Sequence, residues 1–150
     1  MKIGAIIVLY NNEKQIDKSF LKEELPGQIE LCIVNNGSTD RTLELLKIIK
    51  EELKSNISIL DIKKNTTRIS AIRAGARFLF NNESFRHIGY IDASDIDGCR
   101  ELNGLLEELG AYKKSIMEYN EEEREKQKIK KTRFQNIFSI PEILNKLKIS

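Results

Sequence analysis

The sequence predicts an α/β protein with three layers, helices covering both faces of a mainly parallel sheet of four or more strands. Two observations carry this expectation. Four short, mostly apolar runs, at residues 3–9, 29–34, 57–62 and 87–91, alternate with segments whose apolar residues recur at helical spacing, the pattern of βαβ units. The first runs are continuously apolar and β-branched instead of alternating with polar residues, as strands buried on both faces are. Right-handed crossovers between such strands bring the loops after Leu9, Val34, Ile62 and Ile91 to one rim of the sheet, and ligands of open α/β sheets bind at that rim.

Each element has its own justification. Ile3 to Leu9 is the first strand. Glu13 to Leu25 reads as a helix with apolar Ile16, Phe20 and Leu21, stopped by Pro26-Gly27. Ile29 to Val34 is the second strand. Ser38, Thr39 or Asp40 supplies a cap for the following helix, in which Leu43, Leu46, Ile49 and Leu53 share a face. Ile57 to Ile62 is the third strand, Arg68 to Phe80 a helix with Ile69, Ile72, Ala76 and Leu79 on one side, and His87 to Ile91 the fourth strand. After Asp97 the composition turns to Glu, Lys, Arg and Leu without proline as far as residue 133. Leu102, Leu105, Leu106, Leu109 and Tyr112 form a stripe there, and Glu122 and Lys126 are an i,i+4 pair. Phe134, Ile137, Phe138, Ile140, Ile143, Leu144 and Leu147 form a second apolar cluster broken at Pro141. The expected organisation is one domain, with an α/β part over residues 1–97 and a helical extension over residues 98–150 packed on it or projecting from it.

A chain of 150 residues with 40% hydrophobic and 32% charged residues suits one soluble domain, and a net charge of +2 gives no electrostatic case for nucleic acid. The apolar run after Met1-Lys2 is too short, and too directly followed by Tyr10-Asn11-Asn12, to read as a signal peptide. No segment approaches the ~18 apolar residues of a membrane span. Cys32 and Cys99 lack metal spacing, and Cys32 lies in an apolar run, which suggests a reducing, cytoplasmic setting. His87 has no partner at ligand spacing and reads as structural.

The loops hold the candidate chemistry. Tyr10-Asn11-Asn12-Glu13 follows the first strand. Asn35-Asn36-Gly37-Ser38-Thr39-Asp40 follows the second, where Gly37 allows a tight turn and amides at the helix start can meet an anion. Asn65-Thr66-Thr67-Arg68 opens the third helix, in which Ala71 and Gly75 allow close packing on the sheet, and Arg68 and Arg73 are of a type that pairs with diphosphate. Asp92-Ala93-Ser94-Asp95-Ile96-Asp97 follows the fourth strand and offers carboxylate oxygens, the donors that Mg²⁺ and Mn²⁺ favour. Each loop also has a purely structural use: Asn and Asp side chains cap turns and helices, and arginines commonly lie exposed on helices.

Over residues 2–97 these motifs, in this order, resemble the nucleotide-binding half of family-two glycosyltransferases with the GT-A fold. Asn35 stands where that family has the Asp that accepts a bond from the base, Ser94 where its metal motif has a second carboxylate, and Thr67 and Arg73 where its third motif has Gly and Asn. The resemblance implies metal-dependent, inverting transfer of a sugar from a nucleotide-sugar donor to an acceptor hydroxyl. It implies nucleotide contacts from Tyr10, Glu13, Asn35, Gly37, Arg68, Arg73 and Asp92, and a Mg²⁺ or Mn²⁺ ion on Asp92 and Asp95. A carbohydrate or lipid-linked acceptor and a place in polysaccharide biosynthesis follow from the same resemblance. The family's general base comes after the metal motif, where this chain reads as a shortened, helical C-terminus, so no catalytic base is assigned. The open alternatives are a nucleotide-binding module without transferase activity, and a C-terminal cluster that, with Lys128, Lys130, Lys131 and Arg133 beside it, serves a homo-oligomer or peripheral membrane contact.

Overall fold

The computed structural model describes residues 2–17, 19–21, 25, 29–53, 57–82, 85, 87–127 and 137–149. Five strands form one sheet: β1 (Ile3–Leu9), β2 (Ile29–Asn36), β3 (Ile57–Ile62), β4 (Ile88–Asp92) and β5 (Ile137–Ser139). Their order is β3-β2-β1-β4-β5, and every neighbouring pair is parallel. The first three strands step outward in one direction and β4 returns to the other side of β1. Strand order therefore reverses between β1 and β4, the position at which open α/β sheets form a crevice.

Period-two alternation divides the sheet residues between two cores. Ile3, Ala5, Ile7, Leu9, Leu31 and Ile33 face one side, which is covered by α1 (Thr42–Glu52), α3 (Cys99–Ala111), α4 (Lys113–Gln127) and α5 (Ile140–Ile149) through Leu46, Leu102, Leu106, Leu109, Ile116, Ile143 and Leu144. Ile6, Val8, Cys32 and Val34 face the other side, which is covered by α2 (Arg68–Asn82) through Ala71, Ile72, Ala76 and Leu79. Gly75 is what allows α2 to lie so near: a Cβ there would stand 3.0 Å from the side chains of both Ile6 and Val34. Ile69, expected on the buried side of this helix, is 62% exposed in its first turn. Burial pushes the Cys32 thiol up to about 12, so it behaves as a small apolar residue.

Two elements differ from expectation. No α-helix is found among the described residues between Glu13 and Leu25; a 3₁₀ turn at Glu13–Gln15 is followed by extended Ile16. The Asp17 carboxylate accepts from the Ser19 N–H and hydroxyl, a local turn that competes with helix. The carbonyls of Ser19 and Phe20 find the Asn103 amide of α3 and the Gln15 carbonyl finds the Cys99 thiol, so tertiary contacts replace an intrahelical ladder. Ile16, Phe20 and Leu21 are nonetheless buried; the expected stop at Pro26-Gly27 lies outside the described residues.

The C-terminal apolar cluster contains a fifth strand, and Pro141 opens α5 instead of breaking it. Proline is tolerated in a first helical turn because its missing N–H would have no intrahelical partner there. Ile140, Ile143 and Leu144 bury against the sheet, so the apolar face expected to offer an oligomer or membrane contact is covered by the protein itself. Phe134 and the basic Lys128, Lys130, Lys131 and Arg133 lie outside the described residues. No helix among the described residues is long and apolar enough to cross a membrane. His87 is 2% exposed, with Nε2 3.6 Å from Glu121 and Nδ1 3.5 Å from the Asn120 amide of α4, a structural position under the sheet. Lys126 pairs with Glu123 at 3.7 Å.

Candidate functional site

The carboxyl ends of β1, β2 and β4 and the start of α2 enclose a cleft of about 210 Å³ lined by Val8, Tyr10, Asn12, Asn36, Asn65, Arg68, Asp92 and Ser94. A larger cavity, about 270 Å³, lies along the β5 edge between Tyr90, Tyr119 and Phe138. It receives none of the loops that follow β1, β2 or β3, whereas the smaller cleft sits where strand order reverses and the polar loops meet.

Beside the cleft, a lattice of side chain to backbone bonds joins the loops after β1 and β2. Asn11 accepts from the Thr39 N–H at 2.8 Å and its own N–H donates to the Ser38 hydroxyl at 3.0 Å. The Asn12 N–H donates to the Thr42 hydroxyl at 2.9 Å. Asp40 accepts from the Thr42 N–H at 2.9 Å and from the Glu13 N–H at 3.2 Å, and Glu13 in turn accepts from the Arg41 N–H at 3.2 Å. Burial pulls the Asp40 carboxyl upward, but the Thr42 hydroxyl, the Thr42 N–H and the Glu13 N–H together outweigh it and hold the group below its usual range. The amides at the start of α1 are thus engaged by Asn11, Glu13 and Asp40. Glu13 acts here as a brace between the β1 and β2 loops.

Asn35 and Asn36 part company because a strand's side chains alternate. Asn36 falls on the α2 side and lines the cleft. Its carboxamide donates to the Thr66 carbonyl at 3.0 Å and accepts from the Thr66 N–H at 3.0 Å, while its own carbonyl accepts from the Asn65 amide at 2.9 Å. Asn35 falls on the α1 side. Its Nδ2 donates to Asp61 Oδ1, its register partner on β3, at 2.9 Å, and its Oδ1 is buried with no hydrogen-bond partner. The Lys63 ammonium beside Asp61 holds that carboxyl below its usual range, against the opposing effect of burial, and the Asn35 amide adds to the lowering. Gly37 has a φ of +67° and passes directly against the backbone of Lys64 and Asn65.

On the opposite wall, Asp92 ends β4 and uses its two oxygens differently. Oδ1 caps the 3₁₀ turn Ala93–Asp95, accepting from the Ser94 N–H at 2.9 Å and hydroxyl at 2.8 Å. Oδ2 lies 3.2 Å from Arg68 Nε, and the same guanidinium bonds Asp95 Oδ2. A turn cap and a salt bridge to Arg68 thus coexist on one residue. The structure therefore brings Tyr10, Arg68, Asp92 and Asp95 together, leaves Asn35, Gly37 and Glu13 as shapers of the adjoining loops, and puts Arg73 on the exposed surface of α2. Asn36, Asn65 and Ser94 line the cleft although none was among the expected nucleotide or metal contacts; continuing the strand alternation past Val34 was the signal for Asn36.

Asp92 Oδ2 and Asp95 Oδ2 both meet the Arg68 guanidinium, and carboxylate oxygens are the donors that a divalent ion would use. No group of three or more His, Cys, Asp or Glu that could hold a metal occurs among the described residues. A metal here would rely on Asp92, Asp95 and oxygens from its ligand, the usual arrangement for Mg²⁺ with phosphates.

Comparison with known proteins identifies the family. The family model described as glycosyl transferase family 2 matches residues 5–149, and the chain belongs to that family. It is similar to an uncharacterized glycosyltransferase of Haemophilus influenzae, 28% identical over 127 residues that cover 77% of this chain and 38% of that protein. It is also similar to the dolichyl-phosphate beta-glucosyltransferase of Saccharomyces cerevisiae, 33% identical over 102 residues covering 64% and 28%. Among solved structures, Staphylococcus aureus TarS in complex with UDP is similar with a TM-score of 0.47 and 20% identity, covering 62% of this chain and 27% of that one. The chain spans less than half the length of the curated relatives it matches.

Proposed function

We propose that the cleft between β1 and β4 binds a nucleotide-sugar donor and that the protein transfers the sugar to an acceptor hydroxyl. The observation that carries this reading is the convergence of Asp92, Asp95 and Arg68 at the reversal point of the sheet, beside exposed Tyr10. Family membership supports it. Tyr10, 48% exposed at the mouth, offers a ring face for a base. Arg68 is the cation for the diphosphate.

In the inverting reaction the acceptor oxygen forms a bond to the anomeric carbon as the bond from that carbon to the diphosphate oxygen breaks. The electron pair leaves with the nucleoside diphosphate, and the acceptor's proton passes to a base. Asp92 and Asp95 would hold a Mg²⁺ or Mn²⁺ ion, which supplies charge neutralisation for the departing diphosphate. The yeast relative is named for transfer to dolichyl phosphate, which supports a lipid-linked acceptor among carbohydrate alternatives; a cytoplasmic or membrane-peripheral setting within polysaccharide biosynthesis is part of the same proposal and rests on the family resemblance alone. A second reading, donor binding without transfer, is favoured by one observation: among the described residues the cleft lining contains no carboxylate besides Asp92.

Titration calorimetry with UDP, dTDP, GDP and CDP, with and without Mn²⁺, tests the donor site. At least one should bind in a Mn²⁺-dependent way. Asp92→Asn keeps an oxygen for the Ser94 cap but loses the charge, and should weaken that affinity about tenfold or more with metal while changing it less than about twofold without. Equal weakening in both conditions, or no binding of any nucleotide, would count against the site. Sugar transfer or hydrolysis above the Asp92→Asn background then separates the enzyme from the binding module.

A further inference from the structure

Arg68 is the first residue of α2, and its guanidinium reaches across the cleft to both acids, 3.2 Å from Asp92 Oδ2 and in contact with Asp95 Oδ2. Two carboxylates held toward one point repel unless a cation lies between them. The backbone that presents Arg68 is fixed: Thr66 is tied to Asn36, and the Thr67 hydroxyl exchanges bonds with the Ser70 hydroxyl at 2.9 Å and N–H at 3.1 Å. The side chain itself is 48% exposed, as is 44% of Asp95. Exposed ion pairs of this kind are weak and readily exchanged, and arginine keeps its charge at every working pH.

We propose that Arg68 is an internal placeholder for the donor's divalent cation and thereby couples metal binding to diphosphate binding. The inference rests on the donor-site reading above. A metal entering alone has to evict the guanidinium and leave it without a counter-charge. A metal arriving with a diphosphate takes over the two carboxylates, while the displaced guanidinium, still anchored at the same cleft wall, acquires phosphate oxygens. The metal-free cleft keeps one positive charge against its two carboxylates, and the metal is retained best with its nucleotide. A plain salt bridge tying α2 to β4 would have none of these consequences.

The test measures Mn²⁺ affinity by electron paramagnetic resonance of free Mn²⁺, alone and with saturating UDP, for the unmodified protein, Arg68→Gln and Arg68→Lys. The unmodified protein should bind Mn²⁺ weakly alone and about tenfold or more tightly with UDP, within the usual range of coupling between sites. Arg68→Gln should bind Mn²⁺ alone about threefold or more tightly than the unmodified protein, and its UDP enhancement, then resting on the contact of metal with diphosphate alone, should fall by about threefold or more. Arg68→Lys, which keeps the charge without the fork, should lie between. Mn²⁺ affinity and UDP enhancement unchanged in Arg68→Gln would overturn the placeholder role and leave the donor site standing. Absence of Mn²⁺ and UDP binding in all three proteins would overturn both.

Discussion

Gly37→Ala is expected to lower stability by about 3 kcal/mol and to dismantle the cleft. The residue has a φ of +67°, a region that costs an L side chain about 1–2 kcal/mol. A Cβ would also stand 2.1 Å from the Asn65 backbone nitrogen and 2.6 Å from Asn65 Cα and the Lys64 carbonyl carbon. These are main-chain atoms, which cannot turn aside as a side chain can, so overpacking adds about 1–3 kcal/mol. The loops after β2 and β3 would separate, taking with them the Asn65 to Asn36 and Thr66 to Asn36 bonds of 2.9 and 3.0 Å that form the cleft floor. Thermal unfolding should show a fall in Tm of about 10 °C. Gly104→Ala is the control: its Cβ would meet nothing within 4 Å in the middle of α3, and a helical alanine is favoured over glycine. A Gly37→Ala protein that melts with the unmodified one would contradict this account of the loop junction.

Asn35→Asp is expected to destabilise by a similar amount, although it restores the acid of the resembled family motif. Asn35 Nδ2 donates to Asp61 Oδ1 at 2.9 Å, and Asn35 is 2% exposed. An aspartate there replaces a donor by a second acceptor and sets two carboxylates side by side, at a cost of about 3 kcal/mol. The pH dependence has a definite sign. In the variant the carboxyl pair titrates above the unfolded value near 3.9, because like charges disfavour ionisation. The deficit is therefore absent below about pH 4 and grows as pH rises through the raised folded value. Melting curves of both proteins between pH 3.5 and 8 should diverge as pH rises. Parallel curves would mean that Asp61 is not the partner of residue 35 in solution.

Both substitutions show which parts of the molecule were legible in the sequence. Ile3–Leu9 was readable because a strand covered on both faces carries an uninterrupted apolar run, and the edge strand Ile57–Ile62, half-buried beyond Ile57, from its β-branched isoleucines between two helical patterns. The shared rim followed from alternation of strand and helix alone. The segment after Glu13 was not readable, since its helical apolar spacing is overridden by the Asp17–Ser19 turn and by α3 side chains 84 residues away in sequence. The β5 strand, Ile137–Ser139, is three residues long, too short for a period, and Pro141 reads as a breaker unless the helix start is known. At the cleft, residue types were legible and their directions only partly so. Alternation sends Asn35 and Asn36 to opposite faces, while Arg68, Asp92 and Asp95 meet through contacts that no local spacing encodes.

One cleft, at the rim between β1 and β4, is expected to hold both the donor and its metal. Anomalous diffraction from crystals grown with Mn²⁺ and UDP tests it most directly. The expected result is one Mn²⁺ peak coordinated by Asp92 and Asp95, with the diphosphate against Arg68 and the base beside Tyr10. A nucleotide in the cavity along β5 with that cleft empty, or a Mn²⁺ peak away from both carboxylates, would contradict it.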